Sequence, residues 1–202
     1  SKVLAGEVVT MSIDWEHIPA KHRQLIKAFL DEADMSADVI KTVDFPPAYG
    51  ADIVVSCEKA KDPKNGSIYL KPTQFVLGIG CRRDTAFENI DRAIRQSLLK
   101  LQIDISDIDM IASIDVKKDE PGIKEFCERN RIEFVTYTAD ELMAVQGEFS
   151  ASQFVREHVG VDNVCERAAV LACSRECNKA GELIYKKHKY DSVTVAAARY
   201  PD

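Results

Sequence analysis

The sequence predicts an α/β protein: a three-layer α/β/α sandwich around a mostly parallel, mixed sheet over residues 73–202, preceded by a small α+β region over residues 1–72. Three observations carry that reading. From residue 73 onward, short apolar runs alternate with segments of helical period, and a repeated β-α order implies parallel strands with helices packed against them. The turn-rich stretch Lys61-Asp62-Pro63-Lys64-Asn65-Gly66-Ser67, with Pro72 just beyond, punctuates the chain between the two regions. Composition is that of an ordinary globular chain, with 46% apolar residues, 27 Lys plus Arg and 33 Asp plus Glu, for a net charge of −6.

In the first region Glu7 to Ile13 reads as a strand. Pro19 to Ala33 reads as a helix, because Leu25, Ile26, Phe29 and Leu30 fall on one face and Pro opens it. Ala51 to Cys57 and Ser67 to Leu70 are strand-like runs, and Asn65-Gly66 between them reads as a hairpin turn. In the second region Gln74 to Ile79 is a strand, followed by a helix with Ile90, Ala93, Ile94, Leu98 and Leu101 behind the capping box Thr85-Ala86-Phe87-Glu88. Ile108 to Ile114 is the next strand, Glu120 to Asn130 a helix with Pro121 in its first turn, and Ile132 to Tyr137 a third strand. Thr138 to Glu141 and Ser150 to Gln153 are further capping boxes. A helix from Asn163 to about Cys173 and two strands, Leu183 to Lys186 and Ser192 to Ala198, close the chain.

Composition also excludes functions. The longest run of apolar residues, Ala168 to Cys173, is far shorter than the roughly 18 residues of a membrane helix, so no membrane partner is expected. Lys and Arg are scattered in an acidic chain, which argues against a nucleic-acid partner. Six irregularly spaced cysteines read as reduced thiols of a cytoplasmic protein. The start lacks Met, a basic n-region and an apolar h-region, so it reads as internal to a longer chain without a signal peptide. None of His17, His22, His158 and His188 sits in a zinc-protease pattern, Cys165, Cys173 and Cys177 fall near one helix face, and no metal site is expected.

Four places could carry chemistry. The loop Gly78-Ile79-Gly80-Cys81-Arg82-Arg83-Asp84-Thr85 joins a strand end to a helix start, where open α/β sheets bind ligands. Glycines admit close approach, helix-start N–H groups favour an anion, and two guanidinium forks suit carboxylate or phosphate; the plainer alternative is a tight turn with solvated arginines. Arg83 at the third glycine position rules out a dinucleotide fingerprint. A thiol at Cys81, beside two arginines and a helix start, is expected to have a lowered pKa and to react readily. The second place, Asp115-Val116-Lys117-Lys118-Asp119-Glu120-Pro121-Gly122, lies on the same sheet edge and offers acids, bases and a cation for an oxyanion, or simple helix capping by Asp119 and Glu120. The third is the cationic run Lys186-Lys187-His188-Lys189, which reads first as a solvated turn. The fourth is Glu166, set beside an apolar stripe, either on the wet side of its helix or poised by burial.

These motifs, followed by Thr138-Ala139-Asp140-Glu141-Leu142, Gly160-Val161-x-x-Val164-Cys165-Glu166-x-Ala168-Ala169, and Lys187 before Val193-Thr194-Val195-Ala196, resemble in order and spacing those of the cobalamin biosynthesis protein CbiG family. The resemblance covers residues 75 to 199, that family's C-terminal domain, which also occurs as a stand-alone protein in the aerobic route; residues 1 to 72 resemble its middle region, and its N-terminal domain is absent. Asp84 stands where the family usually has Gly, and Lys186 where it often has Pro; Asp tolerates a left-handed backbone. The resemblance implies hydrolysis of cobalt-precorrin-5A in anaerobic vitamin B12 synthesis, opening the ring A lactone and releasing acetaldehyde to give cobalt-precorrin-5B. It implies substrate contacts at Gly78, Gly80, Cys81, Arg82, Arg83, Thr85, Glu166 and Lys187. Lactone opening needs an activated water and oxyanion donors, so Asp115 or Glu120 is expected as general base, and Lys117 or the N–H groups of Gly80 and Cys81 as donors. Cobalt would arrive with the substrate, so no protein cofactor is expected. Other enzymes of the pathway and a second copy of the chain stand as candidate partners. The alternatives are a non-catalytic module that binds or hands over the tetrapyrrole, with catalytic groups on the missing domain, and a generic anion-binding domain.

Overall fold

The computed structural model describes residues 7–34, 40–45, 51–57, 67–151, 160–177 and 179–201. The chain forms two compact units divided between Thr73 and Gln74.

In the first unit, strands β1 (Val9–Ile13), β2 (Ile40–Val43), β3 (Ile53–Val55) and β4 (Ile68–Leu70) and helix α1 (Ala20–Asp34) surround a core of Met11, Ile13, Ile18 and Val55. The sheet order is β2-β1-β3-β4 and each adjacent pair is parallel. The hairpin expected at Asn65-Gly66 is therefore corrected, because a two-residue turn cannot join parallel neighbours. Residues 58–66 themselves lie outside the described residues.

The second unit alternates as the sequence implies. Strands β5 (Phe75–Cys81), β6 (Ile108–Ile114) and β7 (Glu133–Tyr137) are parallel, and β8 (Glu182–Tyr190) and β9 (Val193–Arg199) form an antiparallel hairpin that adds through β9 to β5. The order is β7-β6-β5-β9-β8. Helices α2 (Phe87–Leu101) and α3 (Pro121–Asn130) cover one face, and α4 (Ala139–Ala144) and α5 (Val164–Cys177) the other.

The two-residue pleat of β5 decides which side chains go where. Phe75, Leu77 and Ile79 pack with Ile90, Ile94, Ile123 and Phe126 beneath α2 and α3, whereas Val76 packs with Ala168, Ala169 and Ala172 of α5. Gly78 faces α5 so closely that a Cβ there would lie 1.7 Å from the Cys165 carbonyl oxygen. Small residues on both partners let strand and helix meet backbone to backbone.

Local signals fared unevenly. The Thr138–Glu141 capping box forms with both reciprocal bonds, and Pro121 opens α3. The Thr85 box does not form, since α2 is capped at Ala86 with no side-chain bond. The helix expected after Ser150 falls on residues 152–159, outside the described residues. The cationic run Lys186–Lys189 is not a turn but part of β8, the sheet's edge strand, where lysines blunt unpaired edges.

Candidate functional site

The carboxyl ends of β5 and β6, the first turn of α5 and the β8-β9 hairpin surround a cavity of about 700 Å³. This is the edge at which open α/β sheets receive ligands. From β5 come Gly80, Cys81, Arg82 and Arg83; from β6, Ile114, Val116 and Lys117; from α5, Asn163, Val164 and Cys165; and from the hairpin, Lys187, Lys189, Asp191, Ser192, Val193 and Thr194. Five of these carry positive charge and only Asp191 is acidic, in a chain whose net charge is −6. Cations are thus concentrated around a wall of Ile114, Val116, Val164 and Val193.

The two predicted loops are latched together. Asp84 adopts the left-handed conformation, with φ 56°, and the turn it makes lets Thr85 Oγ1 donate to the Arg82 carbonyl at 2.7 Å. The Thr85 N–H donates to Glu120 Oε1 at 3.0 Å, and Lys117 Nζ donates to Glu120 Oε2 at 2.9 Å. Gly122 makes this contact possible, since a Cβ there would lie 2.2 Å from the Thr85 carbonyl oxygen. The protein's own carboxylate thus takes the first N–H of the anion cradle. This corrects the expected cap at Thr85; Glu120 stands at the helix start as expected, and both residues are buried and neither lines the cavity.

Asp115 begins a short 3-10 turn, Asp115–Lys117, and is also absent from the lining, while Lys117 reaches it. Gly80 pairs with Thr194 and Cys81 with Val193 in the β5-β9 ladder. Gly78 sits deeper, against α5. The expectation of a reactive Cys81 is overturned: burial outweighs the nearby Lys117 and pushes the thiol up to about 11, with Glu120 adding to the rise. Burial likewise pushes Cys165 up to about 12.

Glu166 is fully buried, not on a wet helix face. Its Oε1 accepts from the Lys187 N–H at 2.6 Å and from Ser150 Oγ at 2.8 Å, and its Oε2 accepts from the Ser150 N–H at 2.8 Å. Burial pushes this carboxyl up, but those bonds from Lys187 and Ser150, with help from Asn163, hold it below its ordinary value. Asn163 completes the knot: Oδ1 accepts from the Glu166 N–H at 2.9 Å and Nδ2 donates to the Ser150 carbonyl at 2.8 Å. The Lys187 N–H can reach Glu166 because β8 bulges there: Tyr185 pairs with Ala197 but His188 with Val195, so two residues of β8 stand opposite one of β9. A bulge re-aims the strand, and here it turns Lys187 toward the cavity.

Of the expected substrate contacts, Gly80, Cys81, Arg82, Arg83 and Lys187 line the cavity together with Lys117, while Gly78, Thr85 and Glu166 do not. The sequence reading missed Asn163, Cys165, Lys189, Asp191 and Thr194 as lining residues. Lys189 was within the cationic run and Asn163 at a helix start; Thr194 carries no local signal, since only the pairing of β9 with β5 brings it there. Among the described residues no three His, Cys, Asp or Glu side chains gather as a metal site, and no helix is long and apolar enough to cross a membrane.

The family described as "Cobalamin synthesis G C-terminus" matches residues 75–198. The chain belongs to that family. Within it, the cobalt-precorrin-5A hydrolase of Salmonella typhimurium is 34% identical over 126 residues, covering 62% of this chain and 34% of that protein. A protein of Methanocaldococcus jannaschii named a probable cobalt-precorrin-5A hydrolase is 32% identical over 137 residues, 65% of this chain and 42% of that protein. The chain therefore spans well under half the length of these relatives. The crystal structure of CobE, a protein from the cobalamin (vitamin B12) biosynthetic pathway, superposes with a TM-score of 0.59 at 25% identity, covering 62% of this chain and 89% of CobE. In this member of the cobalamin synthesis G C-terminus family, the cationic cavity and its latching loops lie wholly within the matched residues.

Proposed function

We propose that the chain acts in cobalamin biosynthesis on cobalt-precorrin-5A, and that its cationic cavity holds the acetate and propionate carboxylates of that tetrapyrrole during opening of the ring A lactone. The five cations around an apolar wall carry this reading. A precorrin combines a broad apolar macrocycle with many carboxylates, and Arg82 and Arg83 offer planar forks suited to them. The first turn of α5 adds a helix dipole of the same sign.

The chemistry divides into two steps. Water adds to the lactone carbonyl and the acyl-oxygen bond breaks, giving a carboxylate and a hydroxyl. Loss of the hydroxyl proton then breaks the neighbouring carbon-carbon bond, which releases acetaldehyde and leaves the electron pair on the macrocycle. Lys117 and Lys187 are the cations we place nearest the developing oxyanion. Glu120, with both oxygens engaged, acts in this reading by positioning Lys117 rather than by taking a proton. A cytoplasmic location goes with it.

A second reading, in which this part of the protein holds or hands over the tetrapyrrole and the proton-taking group lies elsewhere, is favoured by one observation: Asp191 is the only carboxylate among the described lining residues. Anaerobic incubation with cobalt-precorrin-5A, with acetaldehyde trapped and the tetrapyrrole spectrum followed, separates the two. Acetaldehyde supports hydrolysis by this chain; a spectral shift without acetaldehyde supports the holding role; no shift contradicts both.

A further inference from the structure

We propose that Asp191, in the turn between β8 and β9, is the general base of the cationic cavity: it takes a proton from the water that attacks the lactone carbonyl. This rests on the hydrolytic reading of that cavity and supplies the proton acceptor which that reading lacks.

The turn is fixed in place. Tyr190 pairs with Val193, so Asp191 and Ser192 form a two-residue hairpin turn. Val193 pairs on its other side with Cys81 of β5, and the Ser192 carbonyl accepts from the Arg82 N–H at 3.0 Å. The turn is thereby held against the loop that carries Arg82 and Arg83, and both border the cavity. Asp191 takes the left-handed conformation, with φ 44°, which Asp tolerates better than most side chains.

The chemistry of the lining leaves one base. Its five cations donate protons, and the amide and hydroxyl groups of Asn163, Ser192 and Thr194 are too weakly basic to take one. Burial pushes the thiols of Cys81 and Cys165 up to about 11 and about 12, so near neutral pH they keep their protons. Asp191 remains, an exposed carboxylate that solvent water reaches. Among the described residues it makes no hydrogen bond or ion pair, so its oxygens are open to that water. Glu120 is the contrast, a carboxylate on the same sheet edge with both oxygens engaged. A negative charge at the turn also works against the binding of a polycarboxylate, and Asn would make the same left-handed turn without that cost. What the carboxylate adds at this position is basicity.

The step balances. As the water oxygen bonds to the lactone carbonyl carbon, Asp191 takes one of its protons and the carbonyl electron pair moves to oxygen, beside Lys117 and Lys187. The tetrahedral intermediate re-forms its carbonyl, the acyl-oxygen bond breaks, and the leaving alkoxide takes the proton back from Asp191.

The experiment measures binding of cobalt-precorrin-5A and release of acetaldehyde, under anaerobic conditions, for the chain, Asp191→Asn and Asp191→Gly. Asn and Gly both accept a φ of 44°, so the turn is kept; should one variant not fold, the other decides. The expected result is a split: kcat falls about 100-fold or more, while affinity equals the parent's or rises, because a charge of the substrate's own sign has left the cavity. A variant that releases acetaldehyde at the parent's rate overturns the proposal and leaves the hydrolytic reading standing. A variant whose rate falls only through lost affinity overturns it too, since Asp191 would then serve binding. A parent that binds without releasing acetaldehyde, or does not bind at all, removes the hydrolytic reading and the proposal with it.

Discussion

Single atoms at two positions decide how the site is built. At Gly78 a methyl group would meet the Cys165 carbonyl oxygen at 1.7 Å, and that atom belongs to a helix backbone that cannot rotate away. Gly78→Ala is expected to push α5 off β5 and cost about 3 kcal/mol or more, read as a fall in the denaturation midpoint. A stability within experimental error of the parent would show that the contact is not close. Cys81 makes the opposite point about sequence reading. Its arginine neighbours suggested a reactive thiolate, but Arg82 and Arg83 point to exposed positions while the sulfur is half-buried, and burial decides. With the thiol pushed up to about 11 from 9.0, its alkylation by iodoacetamide near pH 7.5 is expected to run on the order of 100-fold slower than that of an unperturbed thiol. Alkylation at the rate of a free cysteine would contradict the placement.

Between elements, Glu166 is the tie, because one carboxylate joins α5, the segment at Ser150 and the bulge of β8. Glu166→Ala would leave the half-buried N–H groups of Lys187 and Ser150 without their acceptor, at a cost of roughly 2 kcal/mol. The sign of its pH dependence follows from the lowered carboxyl. In the folded chain Glu166 holds its proton less tightly than at the ordinary glutamate value of 4.5, so its contribution is fully present above that value and is lost as pH falls through the folded one. Urea denaturation at pH 7 and at pH 3.5 is expected to show a larger gap between parent and Glu166→Ala at the higher pH; an equal gap would mean the residue is not held as a carboxylate. Sequence singled out Glu166 and left its burial open, but its partners at Ser150 and Lys187 were not legible. Strand Ile108–Ile114 and the Thr138 box could be read because their determinants lie within a few residues. The partner of Thr85 lies 35 residues away at Glu120, and the Asn65-Gly66 signal was overruled by a parallel pairing that only the whole first sheet determines.

Across the whole molecule, charge is distributed against its own average. A chain of net charge −6 gathers five cations at one cavity, and pieces far apart in sequence, from Gly80 to Thr194, meet there because β9 returns antiparallel to β5. The β-α alternation was legible, and with it the sheet edge on which a ligand should lie. The hairpin's share of the site was less so, since a cationic run looks the same in a solvated turn and in an edge strand. The central claim is that this cavity holds a polycarboxylate tetrapyrrole through its cations, and it is tested most directly by titrating the full chain with cobalt-precorrin-5A under anaerobic conditions, beside Arg82→Ala/Arg83→Ala, at low and high salt. Saturable binding by the parent, weakened about tenfold or more in the double variant and weakened by salt in the parent more than in the variant, is the expected result; equal affinity for parent and variant at both salt concentrations would contradict the account.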